Sequence, residues 1–220
     1  MAKSFFLTKG QGLLEATIAI GVIMTGLIGA MTLTTSTVMS SEESEMRIVA
    51  ANLAREGIEA ARIIRDSAWL GGPLNTWRAS LASATSPADV TAIVVLDPTN
   101  FNWSVDFTPT DFSDNRTSLW RYGAGSSWPG LFIQSLSDLS LMAASRTAYH
   151  RLLKPYPICG RYLSGNDEIV NQPLPCPPGY SQVGVRVVSI VQWSEGGRSR
   201  NVTLEDWLYD WRFAAPTQLP

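Results

Sequence analysis

A long uncharged segment near the N-terminus constrains this chain more than any other feature. From Ala16 to Ser41 there is no Asp, Glu, Lys or Arg, and the strongly apolar part extends from Leu13 to Leu33. As an α-helix, those 21 residues would span roughly 31 Å, about the thickness of the hydrocarbon core of a bilayer. The segment therefore predicts one membrane-spanning helix.

The charges on the two sides of this segment differ in sign. Lys3 and Lys9 precede it, and Glu42, Glu43 and Glu45 follow it. Because cytoplasmic flanks carry an excess of Lys and Arg, we expect a single-pass protein of the cytoplasmic membrane, with its N-terminus inside and the rest outside. A secretory signal peptide fits poorly, since its apolar region is usually about 7–15 residues long and a small-residue cleavage site follows it. A plain membrane anchor stays open as an alternative.

Glu15 is not explained by a plain anchor. It lies two residues after the start of the apolar segment. A carboxylate near the start of a spanning helix costs on the order of 2–3 kcal/mol or more as its depth increases. An acid at such a position is by default a hypothesis for a functional site.

The residues around Glu15 resemble the leader junction of class III type IV prepilins. They read KGQGLLE at positions 9–15. In that family a prepilin peptidase cuts after a Gly on the cytoplasmic side of the apolar segment, and a Glu stands fifth after the cut. Gly10 and Glu15 meet this spacing, whereas a cut after Gly12 would place Thr17 at the Glu position. The resemblance implies a leader peptide over residues 1–10.

The resemblance also implies roles for Gln11 and Glu15. Cleavage after Gly10 gives Gln11 a new α-amine, which the family methylates, although Gln11 departs from the usual Phe. In the family, pairing of this amine with the Glu carboxylate is thought to set the register as subunits dock. Such a pair leaves neither charge alone in apolar surroundings.

The helical pattern continues beyond the membrane segment. There is no Pro before Pro73, and Gly71-Gly72-Pro73 predicts a stop, so we expect one helix from about Gly12 to Ala68, roughly 85 Å long. Apolar residues at helical spacing predict a stripe that packs on a globular head. The stripe comprises Ile48, Ala51, Ala54, Ile58 and Ala61. The pairs at i and i+4 that would support this helix are Arg55 with Glu59 and Arg62 with Asp66.

The rest of the chain is typical of a β-rich head. Strand patterns occur at residues 92–96, 101–107, 131–134, 149–158, 183–193 and 201–211. The first two and the last two predict hairpins, and Pro155 and Pro157 predict an edge position for 149–158. Residues 108–130 read as a long loop, and 136–148 are ambiguous between a helix and an irregular connection.

These patterns together predict an α+β, pilin-like fold, in which a long N-terminal helix packs on a C-terminal antiparallel β-sheet head. The helix has a membrane half and an amphipathic half. The predicted boundaries are a leader at 1–10, a long helix at 11–70 with its membrane segment at about 13–33, a head at 71–213 and a tail at 214–220.

Cys159 and Cys176 are the two cysteines of the chain. In an exported domain they predict a disulfide, which for a loop of about 17 residues adds roughly 3 kcal/mol in the chain-entropy model. A disulfide in the C-terminal region is also common among pilins. Two free thiols or a metal site are the alternatives, but the pair lacks the further ligands that zinc requires.

Nothing in the sequence indicates catalysis, a metal or a cofactor. His150 is the single histidine, and no nucleophile elbow or phosphate loop accompanies it. Oxygen ligands occur at Asp111, Asp114 and Asn115 and at residues 166–168, without the spacing of a calcium loop, so we interpret them as solvated turns. The net charge of −2 does not indicate a nucleic-acid partner.

The tryptophans admit two interpretations. Those in strand patterns are expected in the core or half-buried: Trp103, Trp193, Trp207 and Trp211. Those near loops would form an adhesive or carbohydrate-binding face if they were exposed: Trp77, Trp120 and Trp128.

The resemblance implies a structural subunit of a type IV pilus-like filament. Its partners would be sister pilin subunits, the prepilin peptidase, the assembly platform with its ATPase, and the inner membrane. A minor pilin is favoured over a major pilin or a type II secretion pseudopilin. From other classes, the alternatives are a membrane-tethered extracellular binding protein that does not polymerise and, more distantly, an anchored enzyme.

Overall fold

The computed structural model of the chain describes residues 11–71, 76–81, 90–97, 100, 102–136, 143–163, 166–170 and 176–210. The first helix, α1, extends over 61 residues from Gln11 to Gly71. Gly72 and Pro73, the rest of the predicted stop, lie outside the described residues. The predicted leader and the predicted tail lie outside the described residues.

The chain divides between Met46 and Arg47 into two compact units. Residues 11–46 of α1 belong to the first unit, and residues 47–71 belong to the second unit together with the sheet. The second unit also contains α2 (Thr76–Leu81) and a 3₁₀ turn (Asn115–Thr117). The strands are β1 Ile93–Asp97, β2 Asn102–Asp106, β3 Ser118–Tyr122, β4 Phe132–Ile133, β5 Ala144–Leu163, β6 Asn166–Val170, β7 Ser181–Glu195 and β8 Arg198–Tyr209.

The main sheet is antiparallel and has the order β4-β3-β5-β7-β8, with β6 also paired to β5. The predicted hairpins are confirmed: β1 pairs with β2, and β7 pairs with β8 over its full length. Gly196 and Gly197 form the β7–β8 turn with φ of 53° and 76°, the left-handed values that a two-residue hairpin turn requires. The β1–β2 hairpin joins the main sheet through a bridge between Ala92 and Leu153.

The second half of α1 packs on the sheet, so the predicted α+β fold is present. The main core cluster combines apolar side chains of α1, α2, β1, β5, β7 and β8: Ala60, Ala61, Ile64, Trp69, Trp77, Leu81, Val94, Leu153, Val185, Val187 and Leu208. The predicted stripe is only partly right, because Ile48 is 63% exposed and Ala51 is half-buried. The buried face instead includes Ala50, Leu53, Ala54, Gly57, Ile58, Ala60, Ala61 and Ile64. Small residues dominate it, so the helix backbone can approach the sheet closely.

The predicted ion pairs of α1 are replaced by others. Arg62 contacts Glu59 one turn earlier at 2.6 Å and Asp206 of β8 at 2.7 Å. Asp66, its predicted partner, is paired with Arg65 at 2.8 Å. Because Asp206 lies on the strand face that meets the helix, the cross-contact to the sheet competes successfully with the local pair.

β5 is an interior strand, so the edge position predicted for residues 149–158 is wrong for the strand as a whole. Leu153 exchanges both backbone hydrogen bonds with Ala92, on the side away from β7. Pro155 and Pro157 have the same parity in the strand, so their nitrogens also point away from β7. In the described part of the chain, no strand pairs with them on that side. The two prolines, which have no backbone N–H group, therefore face a local gap between neighbouring strands, where no hydrogen bond is lost.

The predicted loop at 108–130 contains a strand, which is a second correction. β3 is buried at Ser118, Leu119, Trp120 and Tyr122. A second core cluster forms around it from Leu96, Trp120, Tyr122, Ile133 and Ala144. The abundant Ser, Asp and Gly on both sides obscured this five-residue strand in the sequence. Of the ambiguous region 136–148, the part from Ala144 onward is β5.

Candidate functional site

The first half of α1 is apolar on all sides and exposed. Its thirteen large apolar side chains are each 53–73% exposed: Leu13, Leu14, Ile18, Ile20, Val22, Ile23, Met24, Leu27, Ile28, Met31, Leu33, Val38 and Met39. A helix with this composition is stable where its surroundings are also apolar. α1 is the one helix in the described residues that is long and apolar enough to cross a membrane.

The threonine hydroxyls of this half are satisfied within the helix. Thr hydroxyls donate to carbonyl oxygens three or four residues earlier, at 2.8–3.1 Å. The residues concerned are Thr17, Thr25, Thr32, Thr34, Thr35 and Thr37. Such back-bonding removes the cost of an unpaired hydroxyl in a medium without water. The threonines are therefore compatible with an apolar environment.

Glu15 is the single ionisable residue of the chain between Gln11 and Ser41. It is exposed, and it lies one helical turn after Gln11, the first residue of α1. Gly10, the other predicted cleavage residue, lies outside the described residues. Gln11 and Glu15 are four residues apart in one helix, so they occupy positions on the same side of it.

The glycines of this half have open space around them. A Cβ added at Gly12, Gly21, Gly26 or Gly29 would meet nothing within 4 Å. Within the chain, no close packing therefore requires glycine at these positions.

The second half of α1 is held to the sheet by a buried arginine that the sequence analysis did not identify. Arg151 of β5 is fully buried, and its Nη1 donates to the carbonyl of Leu53 in α1 at 3.0 Å. Its Nε donates to Gln134 Oε1 at 3.0 Å, and Glu56 lies 3.6 Å from Nη1. Gln134 in turn donates to the carbonyls of Thr117 and Arg151. Burial lowers the pKa of Arg151, and the charge of Glu56 opposes this.

The helix approaches the sheet closely beside this arginine. A Cβ at Gly57 would lie 2.8 Å from Ser189 Oγ, 3.1 Å from Arg151 Cδ and 3.2 Å from Leu153 Cδ2. Gly57 and Arg151 therefore define a polar joint between α1 and the sheet. A charged residue inside the strand segment HRLL is the sequence signal that could have indicated it.

His150 is half-buried, and the structure gives it a structural role. Its Nδ1 lies 2.9 Å from Thr117 Oγ1, and that hydroxyl donates to the carbonyl of Asp114 at 2.7 Å. A tautomer with the proton on Nδ1, which donates to Thr117 Oγ1, satisfies both bonds. A cavity of about 190 Å³ beside His150 is lined by Phe112, Ala148, Gln192, Trp193, Ser194 and Ser199. Those lining residues include no carboxylate to complete a triad.

The predicted oxygen-ligand cluster at Asp111, Asp114 and Asn115 is engaged in turns, whereas the turn predicted for residues 166–168 is wrong, because they form part of a strand. The Asp111 carboxylate accepts from the backbone and hydroxyl of Ser113, which lowers the pKa of Asp111. Asp114 caps the 3₁₀ turn and pairs with Arg116 at 2.6 Å, which lowers the pKa of Asp114. Asn115 Oδ1 accepts from Arg146 at 3.2 Å. Residues 166–168 lie in β6. Across the described residues, no group of three or more His, Cys, Asp or Glu could hold a metal ion.

The predicted disulfide is present. Cys159 of β5 and Cys176 are bonded at 2.01 Å, with Cys159 fully buried. The bond ties β5 to the segment just before β7.

The tryptophans are distributed differently from the expectation. Trp77 and Trp120, expected near an adhesive face, are 1% and 5% exposed, and Trp128 is half-buried against Tyr122. Trp193 is buried and Trp103 half-buried, as expected, whereas Trp207 is 39% exposed. The prediction for Trp207 was wrong, because alternate residues of β8 point away from the helix. Trp211 lies outside the described residues.

Comparisons of the chain with family models, with curated proteins and with solved structures found no match. The two features that remain as candidates are the exposed half of α1 with Glu15, and the outward face of β8.

Proposed function

We propose that this chain is a structural subunit of a type IV pilus-like filament, made as a prepilin and assembled through α1. One observation carries the proposal. A single 61-residue helix has an exposed, strongly apolar first half and a second half with one face buried against a β-sheet. A lone carboxylate, Glu15, lies one turn from the residue that would become the N-terminus.

The proposed maturation starts in the cytoplasmic membrane. The prepilin peptidase cuts after Gly10 and removes Lys3 and Lys9 with the leader, and the Gln11 α-amine is then methylated. The amine and the Glu15 carboxylate pair within or between subunits, which compensates both charges in apolar surroundings. The head lies outside the cytoplasm, in keeping with the basic flank before the apolar segment and the acidic flank after it.

Assembly moves the apolar half of α1 from lipid into contact with sister helices. Both environments are apolar, and the back-bonded threonines suit either one. An assembly platform and a separate ATPase supply the work, and the chain itself catalyses nothing. Among filament roles, a minor pilin is favoured by the large head and its many tryptophans, with major pilin and type II secretion pseudopilin as alternatives.

A membrane-tethered binding protein that never polymerises is the second candidate. The exposed apolar half of α1 fits a plain anchor equally well. The two candidates differ at Glu15, since a tether gains nothing from a carboxylate at that depth.

The deciding experiment is intact mass and N-terminal sequencing of the protein from its native membrane, beside a Gly10→Val variant. We expect a mature chain that starts at Gln11, with a methyl group on its amine, and uncleaved protein in the variant. Gly12→Val is the matched control, since it changes a neighbouring glycine without touching the predicted cut, and it should still be processed.

Glu15→Gln separates processing from assembly. We expect the variant to be cleaved and to stay in the membrane fraction, while the unmodified protein is recovered in sheared filaments. Retention of residues 1–10 in the presence of the peptidase would overturn the prepilin proposal and leave the tethered protein.

A further inference from the structure

The outward face of the main sheet carries a row of aromatic and charged side chains. Tyr156, Arg186 and Trp207 are cross-strand partners on β5, β7 and β8. Glu205 and Tyr209 lie two residues on either side of Trp207, so they share its face. We call these five residues the aromatic strip. The opposite face of the same strands carries Val187 and Leu208 into the core with α1.

The aromatic strip contains two of the three large apolar side chains that are exposed outside α1 in the described residues. Outside α1, the large apolar side chains exposed among the described residues are Leu136, Trp207 and Tyr209. Trp207 and Tyr209 are each 39% exposed. Their ring centroids are 6.4 Å apart and their planes differ by 20°. The two rings are therefore nearly parallel and adjacent on the exposed side of β8.

Arg186 and Glu205 form the polar border of these rings. The Arg186 guanidinium lies 4.6 Å from the ring centre of Tyr156 and 5.7 Å from that of Trp207. Its Nη1 is 3.3 Å from Glu205 Oε2, and the side chains are 24% and 53% exposed. Cation–π contacts and the ion pair together fix the orientation of the guanidinium. The border thus offers donors and acceptors while its two charges compensate each other.

This combination matches the chemistry of a neutral pyranose ring. A β-linked glucopyranose unit has equatorial hydroxyls and ring faces of C–H groups, which stack on an aromatic ring. Its hydroxyls can meet the donors of Arg186 and the acceptors of Glu205 at the ring edge.

A protein partner fits this surface less well. Specific protein interfaces bury about 800 Å² per partner with about 20–30 residues a side. The exposed neighbours of the two rings along β8 are polar, at Asn201, Thr203 and Glu205. Two exposed rings with polar surroundings suit one or two sugar units better than a protein surface.

We propose that the aromatic strip binds a neutral, β-1,4-linked polysaccharide of the glucopyranose type. The sugar ring stacks on Trp207 and Tyr209, and its hydroxyls bond to Arg186 and Glu205. This goes beyond the filament role, because it assigns the head a ligand whether or not the chain polymerises.

The test is co-sedimentation of the full chain, in phospholipid nanodiscs, with insoluble cellulose and chitin. Cellohexaose and chitohexaose serve as soluble competitors. Detergents with sugar headgroups are avoided because they would occupy the same surface. We expect saturable binding to at least one polymer and its release by the matching hexasaccharide.

Variants locate the site. Trp207→Ala should weaken binding by about tenfold or more, the size expected for an aromatic hot spot, while Trp207→Phe should keep most of it. Arg186→Gln should also weaken binding, and Leu136→Ala, which removes an exposed apolar side chain elsewhere, should leave it unchanged. Each variant is checked by its urea unfolding midpoint, so a loss through misfolding is recognised.

Two results would overturn the proposal. One is failure of the folded protein to bind either polymer. The other is binding that Trp207→Ala and Arg186→Gln leave unchanged. If the first result is accompanied by self-association, detected as cross-linking of a Tyr209→Cys variant, the surface is instead an interface between copies of the chain. The assay uses leader-retaining and mature chains alike, so its outcome is independent of prepilin processing.

Discussion

Gly57 is the position where one added methyl group should be most informative about how α1 docks on the sheet. In Gly57→Ala the new Cβ would lie 2.8 Å from Ser189 Oγ, with Arg151 and Leu153 at 3.1 and 3.2 Å. Overpacking of this kind costs about 1–3 kcal/mol. The higher helix propensity of alanine relative to glycine stabilises the folded state by about 0.8–1 kcal/mol and offsets part of this cost. The expected net loss is on the order of 1 kcal/mol.

Ser189 makes the prediction sharper, because its Oγ is the atom in closest conflict. That hydroxyl is buried and has no hydrogen-bond partner among the described residues. Ser189→Ala alone should therefore be nearly neutral. In the double variant the worst clash is gone, so the cost of Gly57→Ala should fall by about 1 kcal/mol, the size of coupling expected between touching residues.

The assay is urea unfolding of the head in nanodisc-embedded protein, followed by tryptophan fluorescence. With a slope of about 1–3 kcal/mol per M, a loss of 1 kcal/mol lowers the midpoint by roughly 0.3–1 M. Gly71→Ala is the matched control, since a Cβ there meets nothing within 4 Å, and it should shift the midpoint little. A Gly57→Ala variant as stable as the parent, or single effects that simply add in the double variant, would refute this account of the joint.

Two further predictions concern the head. Replacing both Cys159 and Cys176 by Ala should lower its unfolding free energy by about 3 kcal/mol, from the 17-residue separation, and should abolish any effect of reductant on the urea midpoint. Equal midpoints with and without the bond would contradict this. Burial, followed by the nearby charge of Arg146, lowers the pKa of His150. As the pH falls below about 6.5, His150 therefore binds a proton more readily in the unfolded chain than in the folded head. The free energy of unfolding should consequently decrease as the pH drops from about 6.5 towards the lower pKa of the folded state. Urea midpoints between pH 7.5 and 5.5 should show this slope, and His150→Gln, which removes the single histidine, should flatten it.

The long helix and the two main hairpins were predictable because their signals are local. An uncharged segment, a Gly-Gly-Pro stop and a Gly-Gly turn each lie within a few residues of the structure they specify. The edge position of Pro155 and Pro157 was predicted from a sound rule about missing N–H groups. In the structure the two prolines lie where neither β3 nor β6 pairs with β5. The local sequence of β5 does not show where these distant strands begin and end.

The features that were missed depend on distant partners. Arg151 meets Leu53 across 98 positions and Gln134 across 17, so no window of sequence contains the joint. Trp207 was assigned to the core because β8 alternates, but alternation defines two faces without saying which one meets the helix. Leu208 lies on the buried face and Trp207 on the other. Only the packing of α1 decides between them.

The back-bonded threonines have a consequence for whatever surrounds the first half of α1. Since their hydroxyl donors are already used, the sides of this helix offer neighbours mainly dispersion contacts, which have no preferred direction. Such contacts stabilise a neighbour at many rotations and axial offsets almost equally. The position of a neighbouring helix must therefore be selected by groups other than these apolar and threonine side chains. Glu15 is the single charged group that this stretch of helix can contribute to that selection.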